Sequence, residues 1–330
     1  MANTPDEFAL IARLFAPLAA GCPGALGLTD DAALLDCPPG RRIVITTDAM
    51  VAGVHFLPDD PPSLIARKLM RVNLSDLAAM GAEPMAVLLA ACFPREADPS
   101  WMESFAAGLG EDTAEFDVPL VGGDTVATPG PATFTLTALG TVEDGRALLR
   151  SGARPGDRVW VSGSLGDAAL GLCVATEAAA GLSGEDAAFL LARYRLPQPR
   201  LGLGRRLAGL ASAAMDISDG LVGDLEHICA ASGVAARIVA SQVPLSPAGA
   251  NAVALGIGGG LAAALTGGDD YELLFTAPPA HDDALRALEG ELGLRLSVVG
   301  EIIAGSGVRI FGADGKPMAL ARHGYRHFGA

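Results

Sequence analysis

The sequence predicts a mixed α/β protein built of two units, and three observations carry that reading. The chain has 330 residues, more than one compact core usually holds. Half of those residues are hydrophobic, enough for two buried cores. Short apolar runs of strand character alternate with segments of helical period, interrupted by the turn-rich stretch Arg150-Ser151-Gly152-Ala153-Arg154-Pro155-Gly156-Asp157. The expected division is therefore 1–150 and 151–330.

Taken in order, the spacing of Phe8, Ile11, Ala12, Leu14 and Phe15 predicts a helix over 6–16, closed by Pro17 and Pro23-Gly24. Ile43-Val44-Ile45 reads as a buried strand over 42–47 that ends in Thr46, Thr47 and Asp48. Pro61-Pro62-Ser63 opens a helix with Leu64, Ile65, Leu69 and Val72 on one face, delivering Asn73 and Asp76 near its far end before Gly81. A strand over 86–92, a helix over 101–116, a short strand at Leu120-Val121 and an alternating strand over 133–139 complete the first unit. The second unit opens with a strand, Val159-Trp160-Val161, followed by an Ala-rich helical segment over 168–193. Helices over 199–211 and 221–231 come next, and Tyr271-Glu272-Leu273-Leu274-Phe275 is the clearest later strand. No solenoid repeat or low-complexity tail is visible.

Composition excludes several classes. A formal net charge of −15 argues against nucleic acid, whose phosphates call for a basic surface. It leaves nucleotides open, because bound cations reverse the local sign. The five cysteines form no C-x-x-C pair and have no histidine at ligand spacing, so reduced thiols are expected. The N-terminal stretch lacks a basic region before an apolar run, and no segment reaches the length of a membrane span. A cytoplasmic protein without membrane contact is the expectation.

Five acidic clusters are the chemical signal: Asp30-Asp31, Thr46-Thr47-Asp48, Asn73-Leu74-Ser75-Asp76, Gly122-Gly123-Asp124-Thr125 and Asp216-Ile217-Ser218-Asp219-Gly220. If the fold gathers them, two unit charges about 4 Å apart repel by about 4 kcal/mol at an effective dielectric near 20. Such a site needs cations, and carboxylates with hydroxyls suit Mg²⁺, Mn²⁺ or Ca²⁺ better than zinc. Each cluster also has a plain reading. Asp216 or Ser218 caps a helix, the Gly122–Thr125 stretch makes a turn, and Asp76 pairs with Arg71 or Arg67. Their joint occurrence favours a multi-Mg²⁺ site for a polyphosphate. No P-loop is present, nor the H-R-D and D-F-G pair of protein kinases. Gly256-Ile257-Gly258-Gly259-Gly260 is half of a dinucleotide fingerprint without its strand or downstream acid.

The order of these motifs, together with Gly53-Val54-His55-Phe56, Arg150-Ser151-Gly152-Ala153 and Gly267-Gly268-Asp269-Asp270-Tyr271-Glu272-Leu273, closely resembles the thiamine-monophosphate kinase family. The likeness runs from about Glu7 to Phe328. It implies a two-domain aminoimidazole-ribonucleotide-synthetase-like α/β fold, with an N-terminal domain that binds ATP and Mg²⁺ and forms a homodimer. A C-terminal α/β domain would contribute to the nucleotide and substrate sites. The implied reaction is ATP-dependent phosphorylation of thiamine monophosphate with several Mg²⁺ ions. Metal binding is carried over to Asp31, Thr46, Thr47, Asp48, Asp76, Asp124, Asp216 and Asp219. ATP contacts fall to Gly123, Asp124, Arg150 and Ser218, and substrate contacts to His55, Asp269 and Tyr325. Two departures stand out: Thr29 where the family commonly has Gly, and Asp269 where it often has Glu.

The inventory suits this chemistry. The acceptor is a phosphate whose second pKa near 6 leaves it mostly dianionic, so it needs no general base. The thiazolium cation has Asp269 for charge and Tyr325 for an aromatic face, although Tyr325 also reads as packing, His55 as a core histidine and Asp269 as a turn carboxylate. Two other readings remain open at this level: a synthetase that activates its substrate through a phosphate intermediate, and a non-catalytic metal- or nucleotide-binding protein.

Overall fold

In the computed structural model, residues 7–177 and 179–325 are described. The leader-free reading of the first six residues and the far end of the family likeness at Phe328 lie outside them. The chain divides after Gly145 into two compact units, with the short segment Ala78–Gly81 belonging to the second.

The first unit begins with α1 (Glu7–Leu10), which continues as a π-turn over Ile11–Phe15 and a 3-10 turn over Ala16–Ala19. The predicted N-terminal helix is thus present but changes winding, and Pro17 in the last turn supplies no N–H to continue it. After a 3-10 segment over Pro23–Leu28 come β1 (Arg41–Val51), α2 (Pro62–Ala79), β2 (Glu83–Pro94), α3 (Pro99–Phe116), β3 (Leu120–Thr128) and β4 (Thr133–Glu143). The sheet order is β1-β4-β2-β3, antiparallel except for the parallel β2/β3 pair. The helix α3 starts where Asp98 accepts the Ser100 N–H at 2.8 Å ahead of Pro99, and it stops at Asp117 in the left-handed region. It packs on the sheet through Phe105, whose ring lies 4.4 Å from that of Phe134 on β4, with Phe93 on β2 completing the cluster. Arg67 and Arg71 on α2 tie it to α3 through Asp112, Glu111 and Glu115.

The second unit contains β5 (Arg158–Ser162), α4 (Asp167–Thr176), α5 (Gly184–Arg195), α6 (Leu201–Leu207), β6 (Ala213–Asp216), α7 (Leu221–Ser232) and β7 (Ala235–Val239). It ends with α8 (Pro247–Ala254), α9 (Leu261–Thr266), β8 (Leu273–Ala277), α10 (Asp282–Leu292), β9 (Leu296–Ile303) and β10 (Gly307–Phe311). The six-stranded order is β10-β7-β9-β5-β8-β6, with only β10/β7 parallel. Both faces are covered, which explains the unbroken apolar run of β5. Val159 and Val161 join the cluster with Leu225 and Ile228 of α7, while Trp160 joins Leu203, Leu207, Leu285 and Leu288 of α6 and α10.

Besides the N-terminal helix, the helix expected over 199–211 shortens to Leu201–Leu207, the strand expected to be buried leaves Ile43 and Ile45 exposed, and four further expectations change. The single helix over 168–193 is two, because the chain turns at Gly181 (φ +86°) and restarts where Ser183 accepts the Asp186 N–H. The short strand at Leu120-Val121 runs on through Gly122–Thr125, so that motif is extended chain rather than a turn. Tyr271 and Glu272 precede β8 instead of opening it. The Gly256–Gly260 run follows α8, not a strand, and makes tight turns with four of its glycines at positive φ, so the dinucleotide reading falls. All five cysteines are free thiols, and among the described residues no helix is long and apolar enough to cross a membrane.

Candidate active site

In the first unit, strand alternation decides which candidate residues meet. Thr46 and Asp48 point to one face of β1 and Thr47 to the other. The Thr46/Asp48 face is the one α2 covers. There Asn73 and Asp76, three residues apart on one helix face, reach the strand. The Thr46 hydroxyl donates to Asp76 Oδ2 at 2.5 Å, and the Asp48 N–H donates to Asn73 Oδ1 at 3.1 Å. Asn73 itself is buried and held by donating to the Leu69 carbonyl at 2.9 Å. Burial, and secondarily the charge of Asp76, push the Asp48 carboxyl up to about 6. Arg67 and Arg71 bond Asp112 and its neighbours on α3, while Asp76 takes the Thr46 hydroxyl.

On the opposite face, register aligns Asp124 of β3 with Ala90 of β2, and Thr47 of β1 with Thr137 of β4. A cavity of about 620 Å³ opens here, lined by Asp30, Asp31, Gly123, Asp124 and Thr137 over an apolar floor that includes Leu88. Thr47 reaches its edge, with its hydroxyl 3.1 Å from that of Thr137. Gly123 has a structural reason of its own, because a Cβ there would sit 1.9 Å from the Leu89 carbonyl oxygen. The departure at Thr29 is accommodated. Thr29 has an ordinary φ of −114°, and the left-handed residues are the three before it, Leu26, Gly27 and Leu28. The N-terminal unit therefore holds two acidic groups on two faces of one sheet. Among the described residues no three His, Cys, Asp or Glu side chains close into a ready-made metal cluster.

His55 lies just past β1. Its Nδ1 accepts the Val51 N–H at 3.1 Å, so the neutral ring carries its proton on Nε2, and the buried Lys68 donates to its carbonyl at 3.2 Å.

In the second unit, β6 ends at the buried Asp216 and the chain turns through Ser218, Asp219 and Gly220 into α7. Neither Asp216 nor Ser218 caps that helix. The capping position is Gly220, and the acceptor is Asp224, one turn into α7, whose Oδ2 takes the N–H groups of Asp219 at 3.1 Å and Gly220 at 3.0 Å. Asp224 is fully buried, and burial outweighs these bonds to push its carboxyl up to about 7. Two other candidates converge on this loop. The Asp269 N–H donates to the Ser218 carbonyl at 2.9 Å, and the Tyr325 N–H to the Asp219 carbonyl at 3.0 Å. Asp269 has φ +69° and Tyr271 φ +50°, backbone states that cost of order 1–3 kcal/mol each for residues other than glycine and that concentrate at functional sites. Aspartate tolerates this region better than most residues, which fits its presence at 269. The Arg150 backbone lies at the other end of α7. Its carbonyl accepts from Ser232 at the far end of α7, about 18 Å of helix away from the Ser218 loop.

Sequence reasoning missed the supports of this loop: Asp224, Asp270, and Glu272. Glu272 is fully buried, with its carboxylate taking Arg193 at 2.9 Å, Arg200, and the Ser162 hydroxyl at 2.6 Å. A charge leading into the apolar run Leu273-Leu274-Phe275 was the available signal for a buried pair.

Comparison with known proteins follows the same lines. The family model for AIR synthase related protein, N-terminal domain, matches residues 29–142, and that for the C-terminal domain matches residues 154–313. The thiamine-monophosphate kinase of Caulobacter vibrioides is 44% identical over 330 residues, covering 99% of this chain and 92% of its own length. The crystal structure of thiamine-monophosphate kinase from Stenotrophomonas maltophilia K279a matches with a TM-score of 0.84 at 42% identity, over 94% of this chain and 98% of that one. AaThiL complexed with AMPPCP and TMP matches with a TM-score of 0.78 at 28% identity, over 99% of this chain and 100% of that one. With both domain models matched and this identity held along nearly its whole length, the chain belongs to the thiamine-monophosphate kinase family.

Proposed function

We propose that this chain transfers the γ-phosphoryl group of ATP to the phosphate of thiamine monophosphate, giving thiamine diphosphate and ADP by one in-line displacement. The observation that carries the metal-assisted form of this reading is the Asp48/Asp76 pair. Burial and mutual repulsion both oppose ionisation of Asp48, and a divalent cation relieves both. With the Thr46 hydroxyl alongside, the donor set is hard oxygen and fits Mg²⁺. We assign Mg²⁺ to Asp31, Thr46, Thr47, Asp48, Asp76, Asp124, Asp216 and Asp219, and ATP contacts to Gly123, Asp124, Arg150 and Ser218. Substrate contacts are assigned to His55, Asp269 and Tyr325. The first unit would carry the ATP- and Mg²⁺-binding role, and the second would contribute to the nucleotide and substrate sites.

When bound, Mg²⁺ supplies the charge neutralisation that lets two phosphate anions approach in line. The chain's own residues orient and recognise. Asn73 fixes the backbone at Asp48 and the Thr46 hydroxyl fixes the rotamer of Asp76, so the ligands are held before metal arrives. His55, with its Nδ1 taken by the Val51 N–H, is assigned to the substrate phosphate end. Asp269 supplies a negative charge for the thiazolium ring, and Tyr325, half of whose surface is open to solvent, an aromatic face. No proton acceptor is required, because the acceptor phosphate is already ionised near neutral pH. The first unit would form a homodimer through the sheet face that leaves Ile43, Ile45 and Val126 exposed, and a cytoplasmic setting suits the free cysteines.

The test is stereochemical. ATP made chiral at the γ-phosphorus and turned over with thiamine monophosphate should give inverted product. Net retention, or a trapped phosphoenzyme, would reject direct transfer.

A further inference from the structure

The segment Gly268–Glu272 alternates in burial. Asp270 and Glu272 are fully buried, while Asp269 and Tyr271 are partly open and both left-handed. The two strained residues are thus flanked by anchors. Asp270 Oδ2 accepts the Gly166 N–H at 2.6 Å and its Oδ1 the Ala168 N–H at 3.3 Å, where the chain enters α4. Gly166 is itself fixed at φ +83°, and a Cβ there would lie 2.4 Å from Ala264 Cα. On the other side Gly268 abuts the Ser218 carbonyl, where a Cβ would approach to 2.0 Å. The Asp269 and Tyr271 N–H groups bond the Ser218 and Ile217 carbonyls, each at 2.9 Å. Between the two left-handed residues sits a buried carboxyl tied to another element.

We propose that Asp270 is a positioning residue for substrate recognition: by pinning its own side chain to the start of α4, it forces Asp269 into the left-handed backbone that aims the Asp269 carboxylate at the cationic ring of the substrate. This rests on the reading of Asp269 as a thiazolium contact. Asp270 itself is assigned to neither phosphate nor metal, so its loss should act first on the substrate that Asp269 contacts and much less on ATP, whose assigned contact Ser218 meets this arc through its backbone carbonyl.

Three variants separate the possibilities: Asp270→Ala, Asp270→Asn and Asp269→Ala, each compared with the parent for KM of both substrates, kcat and thermal unfolding. Asp270→Ala should raise KM for thiamine monophosphate about tenfold, with KM for ATP within about twofold and kcat spared. Asp270→Asn keeps an acceptor of the same shape and should recover most of the loss. Asp269→Ala should match Asp270→Ala. If Asp269→Ala raises KM for thiamine monophosphate and Asp270→Ala does not, Asp270 is packing and the inference fails. Should Asp269→Ala leave both KM values unchanged, the reading of Asp269 itself fails, and the inference with it. Equal shifts for both substrates in Asp270→Ala would likewise overturn it, since they report a general loss of structure. If Asp270→Ala does not fold, the inference stands or falls on Asp270→Gln, whose displaced carboxamide should shift only the thiamine monophosphate KM.

Discussion

Asp48 is a carboxyl whose surroundings oppose its charge, and Asp76 is the nearest reason after burial. Asn for Asp at 76 keeps the size and one acceptor for the Thr46 hydroxyl but removes the ligand charge. Asp76→Asn should therefore fold normally and lose turnover by about two orders of magnitude or more. Full activity at limiting Mg²⁺ would remove Asp76 from the metal set. Asp270 makes a pH prediction. Burial first, then the charge of Asp167, push it from 3.8 to about 8, against the pull of the Gly166 and Ala168 N–H groups and of Arg193. Its folded value lies above its unfolded one, so its contribution to stability is full below about 4 and is lost as pH rises through about 8. Asp270→Asn lacks this titration. Its urea midpoint should gain on that of the parent between about pH 5 and about pH 8.5, and a constant gap would contradict the shift. At this scale the acidic motifs stand out in the sequence, because each pairs Asp with Thr, Ser or Gly in a short window, and their metal role is a proposal. Asp270 does not stand out, because its partners Gly166 and Ala168 lie far along the chain, and Asp224 looks like any acid in the first turn of a helix.

Among the elements, α2 carries the argument, since it brings Asn73 and Asp76 to β1 while Arg71 fastens it to α3. Arg71 is 1% exposed and Asp112 0%, so the pair is fully desolvated. Asp112→Ala would remove the buried partner of the Arg71 guanidinium, leaving it the more exposed Glu115, and should cost about 3 kcal/mol in chemical denaturation. A loss below about 1 kcal/mol would mean the pair is replaceable by Glu115. Helices and strands with clear periods were readable from the sequence, α2 and α3 within about two residues. What failed were the places where alanine hides a break, as between α4 and α5, and where glycine signals close strand approach rather than a turn, as at Gly123. The Gly123 contact comes from a neighbouring strand and leaves no local trace, whereas the α4/α5 break carries a local signal, Gly181 followed by the Ser183 cap, that the alanine-rich context masked.

For the whole molecule, the division into two α/β units was visible in length and in the turn-rich stretch after residue 150. The two-faced use of the N-terminal sheet was not. It follows from register, which sets Thr46 and Asp48 against α2 and leaves Ile43 at 46% and Ile45 at 64% exposure on the other side. Two β-branched apolar side chains open on an edge strand are a surface that pairing with a second copy would cover. If the chain dimerises through this face as proposed, Ile45→Asp should shift its sedimentation mass from dimer to monomer, and a dimer that survives the substitution would place the interface elsewhere. The proposed reaction is tested by phosphorus NMR of the purified chain with ATP, thiamine monophosphate and Mg²⁺. Thiamine diphosphate and ADP should form in equal amounts, with neither formed when the divalent metal is chelated. ADP and inorganic phosphate without thiamine diphosphate, or undiminished product under chelation, would contradict it.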